Sequence, residues 1–173
     1  NQPGTYKDVK DTSAVAMFKA VRNEHSEFLF KVLEDSGLSA NDSGLFFLAW
    51  TTTPWTLPSN LGLTVGPNID YVLVKTFNPY LHIPVNVVLA KALVGKYFKE
   101  EGKDGDFENY HEKVKILPWK IIAEFKGSQI EGCSYEQLLP YNSNSPKAIE
   151  ELTPGAKPFK VVTGDFVTTE DGT

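Results

Sequence analysis

The sequence lacks several features on which common kinds of site depend. Its 173 residues include one cysteine, Cys133, which cannot form an intramolecular disulfide and is expected to be an inert buried thiol. No signal peptide or membrane-spanning apolar run is visible, so we expect a cytoplasmic protein with no membrane partner. The net charge is −5, without runs of lysine or arginine. We therefore expect no DNA partner, although recognition of a single terminal nucleotide needs few phosphate contacts.

The short motifs of familiar catalytic centres are also missing. The three histidines, His25, His82 and His111, are scattered, and none has a Cys, His or carboxylate at metal-ligand spacing. There is no nucleophile elbow, no glycine-rich phosphate loop and no dinucleotide fingerprint. Asp104 and Asp106 flank a glycine, which is typical of a turn rather than of an acid–base pair. We expect neither a metal nor a cofactor.

The composition and patterning predict one β-rich α/β domain. Hydrophobic residues make up 41% of the chain and charged residues 23%, which is ordinary for a globular protein. Apolar and β-branched patterning predicts strands over 12–21, 45–53, 71–77, 113–125 and 159–169. An apolar stripe at helical spacing predicts a helix over 86–97, and 142–158 has the composition of a loop.

Residues 49–60, AWTTTPWTLPSN, combine four threonines, two tryptophans and two prolines without a charge. In a strand, Thr51 and Thr53 point to one face and Thr52 to the other. Pro54 cannot donate to a ladder, so the strand is expected to end at Thr53. Hydroxyl groups gathered there are suited to binding a ribose or a water molecule. Threonine is also a favoured strand residue, so the same pattern is compatible with simple packing.

Residues 51–60, TTTPWTLPSN, resemble the threonine-rich signature of the editing domain of isoleucyl-tRNA synthetases, which are class I synthetases. The valyl and leucyl relatives carry an arginine after the threonines, followed by Pro-Glu-Thr or Pro-Asp-Thr. Three other segments are similar to the same family: DVKDTSAV at 8–15, the G-x-x-x-x-G-x-x-Y segment at 127–135, and DFVTTEDGT at 165–173.

The resemblance implies a barrel-like sheet with one or two packed helices, of ValRS/IleRS/LeuRS editing-domain type. It implies that residues 1–173 are a single editing domain within a larger ATP-binding ligase, without the C-terminal part of the family domain. The implied activity is hydrolysis of valine wrongly attached to tRNA(Ile), by attack of water on the aminoacyl ester. The implied partners are the 3′ end of the mischarged tRNA(Ile) and the catalytic domain of the parent synthetase.

By the same resemblance, Thr51, Thr52, Thr53 and Asn60 are the catalytic residues. The threonines would contact the terminal ribose and the ester, and Asn60 would hydrogen-bond in the same pocket. Trp55 and Thr56 would shape the wall of the substrate-binding pocket. The family's pocket also includes a downstream histidine and an aspartate for the substrate's α-ammonium, whereas this chain stops at Thr173. Two alternatives stay open: a non-catalytic domain that binds RNA ends or nucleotides, and a structural insertion.

Overall fold

The computed structural model describes residues 12–141 and 145–170. They contain eight strands: β1 (Ala14–Val21), β2 (Leu45–Thr51), β3 (Gly62–Val65), β4 (Asp70–Phe77), β5 (Pro84–Ala90), β6 (Lys120–Lys126), β7 (Ser134–Tyr135) and β8 (Lys160–Thr163). They also contain four short α-helices: α1 (Glu27–Asp35), α2 (Ala40–Ser43), α3 (Val94–Tyr97) and α4 (Pro146–Leu152). Short 3-10 helices of one or two turns lie at Pro54–Ser59, Lys91–Leu93, Glu100–Gly102 and Gly127–Gln129.

The strands form one mixed sheet in the order β3-β8-β7-β1-β2-β5-β4-β6. The pairs β2–β5 and β3–β8 are parallel, and the other neighbours are antiparallel. The predicted strand-rich α/β class is confirmed. The expected barrel is wrong, because among the described residues the edge strands β3 and β6 do not pair. At the β3 end of the sheet, strands β3, β7 and β8 are short, with two to four residues each.

Two predicted strands, β1 and β4, agree closely with the structure. In β1 the side chains of Ala16 and Phe18 are buried on one face, as the alternation predicts. The predicted strands over 113–125 and 159–169 are longer than β6 and β8. Pro118, which lacks a backbone N–H, precedes β6, and a turn at Gly164 follows β8. The short strands β3 and β7 were not predicted.

The segment predicted to be a loop over 142–158 contains helix α4. The Ser145 hydroxyl accepts a hydrogen bond from the Ala148 N–H at 3.3 Å, and Pro146 occupies the first helical turn. Both are standard helix-start features, so local capping explains why this polar sequence is helical. Residues 142–144 of the predicted loop lie outside the described part of the chain.

The helix predicted over 86–97 is wrong for most of its length. Residues Pro84–Ala90 form β5, a strand between β2 and β4, and α3 is confined to Val94–Tyr97. Six of the seven β5 residues are buried, so apolar side chains are needed on both faces of the strand. A run of that kind also matches a helical stripe, and three valines then favour the extended form.

The sheet buries an apolar cluster on each of its two faces. The larger cluster lies beneath α1 and includes Phe18, Leu29, Leu33 and Phe47. The smaller one covers the other side of β4 and β5 and includes Phe98 and Trp119. β2 therefore lies between two packed layers, and its C-terminal end, paired with the first residue of β1, is fixed at one end of the sheet.

Candidate functional site

The threonine-rich segment begins where β2 ends. Strand pairing stops at Thr51, whose partner is Ala14, two residues earlier than predicted. The Thr51 hydroxyl accepts a hydrogen bond from the backbone N–H of Thr53 at 3.0 Å. The backbone of Thr53, at φ −123° and ψ 64°, no longer follows the strand. A side-chain acceptor has replaced the next ladder bond, which is how threonine commonly ends regular structure.

Three of the predicted hydroxyl groups lie in a chain. The Oγ1 atoms of Thr51 and Thr53 are 3.2 Å apart, and those of Thr53 and Thr56 are 3.5 Å apart. Thr56 Oγ1 donates to the Thr53 carbonyl at 2.8 Å, while the Thr56 N–H donates to the same carbonyl at 3.0 Å. The 3-10 turn that starts at Pro54 thus folds Thr56 back over Thr53. We call these three residues the hydroxyl chain.

The hydroxyl chain can offer a proton to a bound group at only one end. Thr56 has committed its proton to the Thr53 carbonyl, so its oxygen acts towards Thr53 as an acceptor. Thr53 has one hydroxyl proton, so it can donate either to Thr56 or to Thr51, but not to both. When it donates to Thr56, Thr51 must donate to Thr53 and no proton is left over. When Thr53 donates to Thr51, the Thr51 proton is released for an external acceptor. Each hydroxyl also keeps lone pairs, so the chain can both donate to and accept from a substrate or water.

Two predicted site residues stand apart from the hydroxyl chain. Thr52 is exposed, and its hydroxyl has no hydrogen-bond partner in the described residues. Trp55 is 65% exposed and lies on the outside of the 3-10 turn. Both side chains are open to solvent beside the hydroxyl chain. An indole exposed to this extent is a large apolar surface available for contact with a flat apolar group.

Asn60 lies at the end of the 3-10 turn and is held by two side-chain hydrogen bonds. Its Nδ2 donates to the Gly62 carbonyl at 3.0 Å. Its Oδ1 accepts from the hydroxyl of Tyr135 at 2.6 Å. Asn60 is half-buried, whereas Tyr135 is only 3% exposed. Tyr135 belongs to the glycine-and-tyrosine segment at 127–135, yet sequence reasoning did not place it next to the threonines.

The threonine-rich segment itself carries no charge. Residues 49–60 contain no ionisable side chain, and burial raises the pKa of Tyr135 above its ordinary value. The phenol therefore remains a hydrogen-bond donor throughout the physiological pH range.

Within residues 12–141 and 145–170, no group of three or more His, Cys, Asp or Glu could hold a metal ion. In the same residues, no helix is long and apolar enough to cross a membrane.

A small cavity lies between strands of the larger apolar cluster. It has a volume of about 40 Å³ and is lined by residues of five strands, among them Phe47 and Leu48 of β2 and Leu63 and Val65 of β3. The two strands are not neighbours in the sheet, so the curved sheet brings the edge strand β3 opposite β2. The loop from Thr52 to Leu61 spans these two strands, and both of its ends are therefore fixed.

Comparison with known proteins relates the chain to one family of ligases. The chain is 52% identical over 173 residues to an isoleucine–tRNA ligase of Cytophaga hutchinsonii. It is 47% identical over 174 residues to an isoleucine–tRNA ligase of Porphyromonas gingivalis. Each match covers 100% of this chain and 13% of the relative, so the chain spans about one-eighth of the length of these relatives. No protein-family model matches the chain.

Solved structures with the same fold come from leucyl-tRNA synthetases. The crystal structure of GlLeuRS-CP1 matches with a TM-score of 0.56 at 14% identity, covering 90% of this chain and 49% of that one. The P. knowlesi cytosolic leucyl-tRNA synthetase editing domain matches with a TM-score of 0.54 at 12% identity, covering 92% and 55%. At these identities the match establishes the fold, which is that of a leucyl editing domain.

Proposed function

This chain belongs to the isoleucine–tRNA ligase family, and we propose that it is the editing domain of such a ligase, which hydrolyses valine wrongly joined to the isoleucine tRNA. The observation that carries the proposal is the hydroxyl chain of Thr51, Thr53 and Thr56 at the end of β2. The leucyl editing-domain fold supports the same role.

The reaction is the attack of water on the carbonyl carbon of the aminoacyl ester. The bond between that carbon and the ribose oxygen breaks, the ribose oxygen takes a proton, and free valine and tRNA leave. The available proton of the Thr51–Thr53 pair would donate to the ester or ribose oxygen, and the free lone pairs would orient the attacking water. The exposed hydroxyl of Thr52 would bind the terminal ribose.

A neutral site is sufficient for this reaction because the substrate is already an activated ester. Orientation of water and ester by fixed hydrogen bonds lowers the barrier without a strong nucleophile. The absence of an ionisable group in residues 49–60 is consistent with this requirement. A second, smaller pocket also separates valine from isoleucine more sharply than the synthetic site can, since it excludes the larger side chain by steric clash.

The proposed partners are the 3′ end of mischarged tRNA(Ile) and the rest of the parent ligase. Trp55, 65% exposed beside the hydroxyl chain, would pack against the terminal nucleotide. This chain covers 13% of the length of its isoleucine–tRNA ligase relatives. Tests of activity therefore use the full-length ligase that contains this chain.

The test is deacylation of valyl-tRNA(Ile) by the full-length ligase and by its Thr52→Ala and Asn60→Ala variants. We expect both variants to clear the valyl ester about tenfold or more slowly than the wild type. The charging of tRNA(Ile) with isoleucine should stay unchanged, because it takes place elsewhere in the ligase. Wild-type clearance by both variants would contradict the assignment of the site.

A non-catalytic nucleotide-binding domain is the second candidate, and the exposed ring of Trp55 favours it. In that case the full-length ligase would bind a non-hydrolysable aminoacyl-adenosine analogue through this domain, and Trp55→Ala would weaken the binding. Valyl-tRNA(Ile) would then be cleared at the same rate by the wild type and by the threonine variants. The two candidates thus differ in hydrolysis and not in binding.

A further inference from the structure

We propose that Tyr135 is a positioning residue of this site, which holds the Asn60 amide in the orientation used for deacylation. The inference rests on the proposed function. It starts from the 2.6 Å hydrogen bond between the Tyr135 hydroxyl and Asn60 Oδ1, which joins residues 75 positions apart in the sequence. This bond links β7 to the end of the threonine-rich loop.

The partners of Asn60 determine which way its amide faces. The Gly62 carbonyl can only accept, so the Asn60 NH₂ group must face it. The Asn60 oxygen then faces Tyr135, and the phenol hydroxyl must be the donor. Since burial raises the pKa of Tyr135, its hydroxyl keeps that proton at any pH at which the ligase works.

The held amide still has groups free for a substrate. One of its two N–H donors is bonded to Gly62 and one of its two oxygen lone pairs to Tyr135. The second N–H and the second lone pair remain, and the residue is half-buried rather than enclosed. Because both ends of the amide are bonded, it cannot flip and exchange donor for acceptor.

The position of Tyr135 is fixed by packing and by backbone hydrogen bonds. It is 3% exposed, and its ring packs edge-on against Phe18 and Phe159, with centroid distances of 5.1 and 6.1 Å. The Tyr135 N–H donates to the Phe159 carbonyl at 3.0 Å, and the Phe159 N–H donates to the Leu61 carbonyl at 2.7 Å. These bonds form a closed ring that runs from Asn60 through Tyr135 and Phe159 back to Leu61.

Phe159, one member of this closed set of hydrogen bonds, has an unusual backbone conformation. Its φ of 61° lies in the left-handed region, which bulky side chains seldom adopt. In this conformation its N–H reaches Leu61 while its carbonyl reaches Tyr135. The buried phenyl ring, 6% exposed, packs against Tyr135 and holds the conformation in place. The end of the threonine-rich loop is therefore held at two residues: Tyr135 bonds to Asn60, and Phe159 bonds to Leu61.

The experiment uses the full-length ligase with Tyr135→Phe, Asn60→Ala and the double variant, with Tyr71→Phe as the matched control. Tyr71 is also 3% exposed and its hydroxyl also makes one hydrogen bond, accepting from the Gly66 N–H at 3.3 Å. We expect Tyr135→Phe to lower kcat for valyl-tRNA(Ile) deacylation about tenfold with KM changed less than about twofold. We expect Tyr71→Phe and isoleucine charging to match the wild type, and the double variant to be no slower than Asn60→Ala.

Each other outcome is decisive. An active wild type with an equally active Tyr135→Phe variant overturns the positioning role and leaves the proposed function intact. A wild-type ligase that does not deacylate valyl-tRNA(Ile) removes the proposed function and this inference together. An equal loss in Tyr71→Phe, or a double variant slower than Asn60→Ala, would mean a general packing effect and would also overturn the inference.

Asn60→Asp tests the amide orientation without touching Tyr135. A carboxylate at this position can accept from Tyr135 but cannot donate to the Gly62 carbonyl. We expect this variant to deacylate as slowly as Asn60→Ala. Wild-type deacylation by Asn60→Asp would overturn the orientation on which the positioning role depends, even if Tyr135→Phe failed to fold.

Discussion

The backbone N–H of Thr53 donates to the hydroxyl of Thr51 at 3.0 Å, and this bond turns the chain out of the sheet. It also brings the two hydroxyl oxygens to 3.2 Å from each other. One interaction therefore ends strand β2 and assembles the first two members of the hydroxyl chain. The structural role of Thr51 and its proposed chemical role are therefore coupled, and substitutions that keep or remove the hydroxyl can separate them.

Thr51→Val should lower both activity and stability, whereas Thr51→Ser should retain both. Valine keeps the shape of threonine but removes the acceptor for the Thr53 N–H and the contact with the Thr53 hydroxyl. We expect deacylation of valyl-tRNA(Ile) to fall at least about tenfold and the free energy of unfolding to fall by about 1 kcal/mol. Deacylation assays and urea denaturation measure the two effects. Equal activity of the valine and serine variants would contradict the chemical role of this hydroxyl.

Gly127→Ala should be strongly destabilising because the backbone of another loop lies against this glycine. A Cβ atom there would lie 2.1 Å from the Gly66 carbonyl oxygen and 3.0 Å from the Tyr71 ring. One of the loops must move, which typically costs about 1–3 kcal/mol of unfolding free energy. Urea denaturation of the chain measures the loss.

The matched control for Gly127 is Gly95→Ala in helix α3. No atom lies within 4 Å of a Cβ built at Gly95. Alanine is also the better helix former, so we expect this variant to be as stable as the wild type or up to about 1 kcal/mol more stable. Similar unfolding curves for the two variants would mean that the close approach at Gly127 carries no cost.

Asn86→Asp should destabilise the fold, whereas Asn78→Asp should be tolerated. The buried Asn86 amide uses its Nδ2 to donate to Ser43 Oγ at 2.7 Å and to the Gly44 carbonyl at 2.9 Å, which an ionised carboxylate cannot do. Asn78 uses its Oδ1 to accept from the Tyr80 and Leu81 N–H groups, which a carboxylate also can do. We expect a loss of about 2–4 kcal/mol for Asn86→Asp and less than about 0.5 kcal/mol for Asn78→Asp.

Acid should partly rescue the Asn86→Asp variant. A buried carboxyl without a donor has a raised pKa, so its destabilising effect is largest above that pKa and declines as the pH falls through it. The protonated carboxyl can donate one hydrogen bond to Ser43 or Gly44. Urea denaturation at neutral and mildly acidic pH measures the change. A penalty that does not depend on pH would show that ionisation is not its cause.

The thiol of Cys133 should be unreactive in the folded chain. The residue is fully buried, and burial raises its pKa to about 12. Thiolate is the reactive form, so a thiol reagent at pH 8 should label the folded chain far more slowly than the unfolded chain. Because the folded-state pKa is raised, stability from this group is complete below the unfolded pKa and declines as pH rises towards about 12. Labelling at equal rates in both states would contradict this prediction.

The residues that carried the family resemblance have identifiable physical roles. In the segment over 127–135, Gly127 allows the close approach of the Gly66 carbonyl, and Gly132 adopts a φ of 81° against the His25 ring. Tyr135 bonds to Asn60. None of these roles could be read from the spacing alone, because each depends on a contact between segments that are distant in sequence.

The prediction of a helix over 86–97 failed for a tertiary reason. The apolar positions of VNVVLA match a helical stripe and a two-sided buried strand equally well. The segment forms a strand because β2 and β4 pair with it, one on each side. Asn86 then became a buried link to Ser43 and Gly44, a role that no local pattern indicates.

By itself, the sequence determined the chemical groups of the candidate site and the residue beyond which its strand cannot continue. The side chains of 51–56 provide neutral hydroxyls in quantity, and Pro54 cannot join a ladder. Only the tertiary structure decided which groups meet: Thr51, Thr53 and Thr56 form a chain, Thr52 faces solvent, and Asn60 is bonded to Tyr135. The physical reason is that chain composition sets which hydrogen bonds can form, while the packing of distant strands sets which partners come within reach.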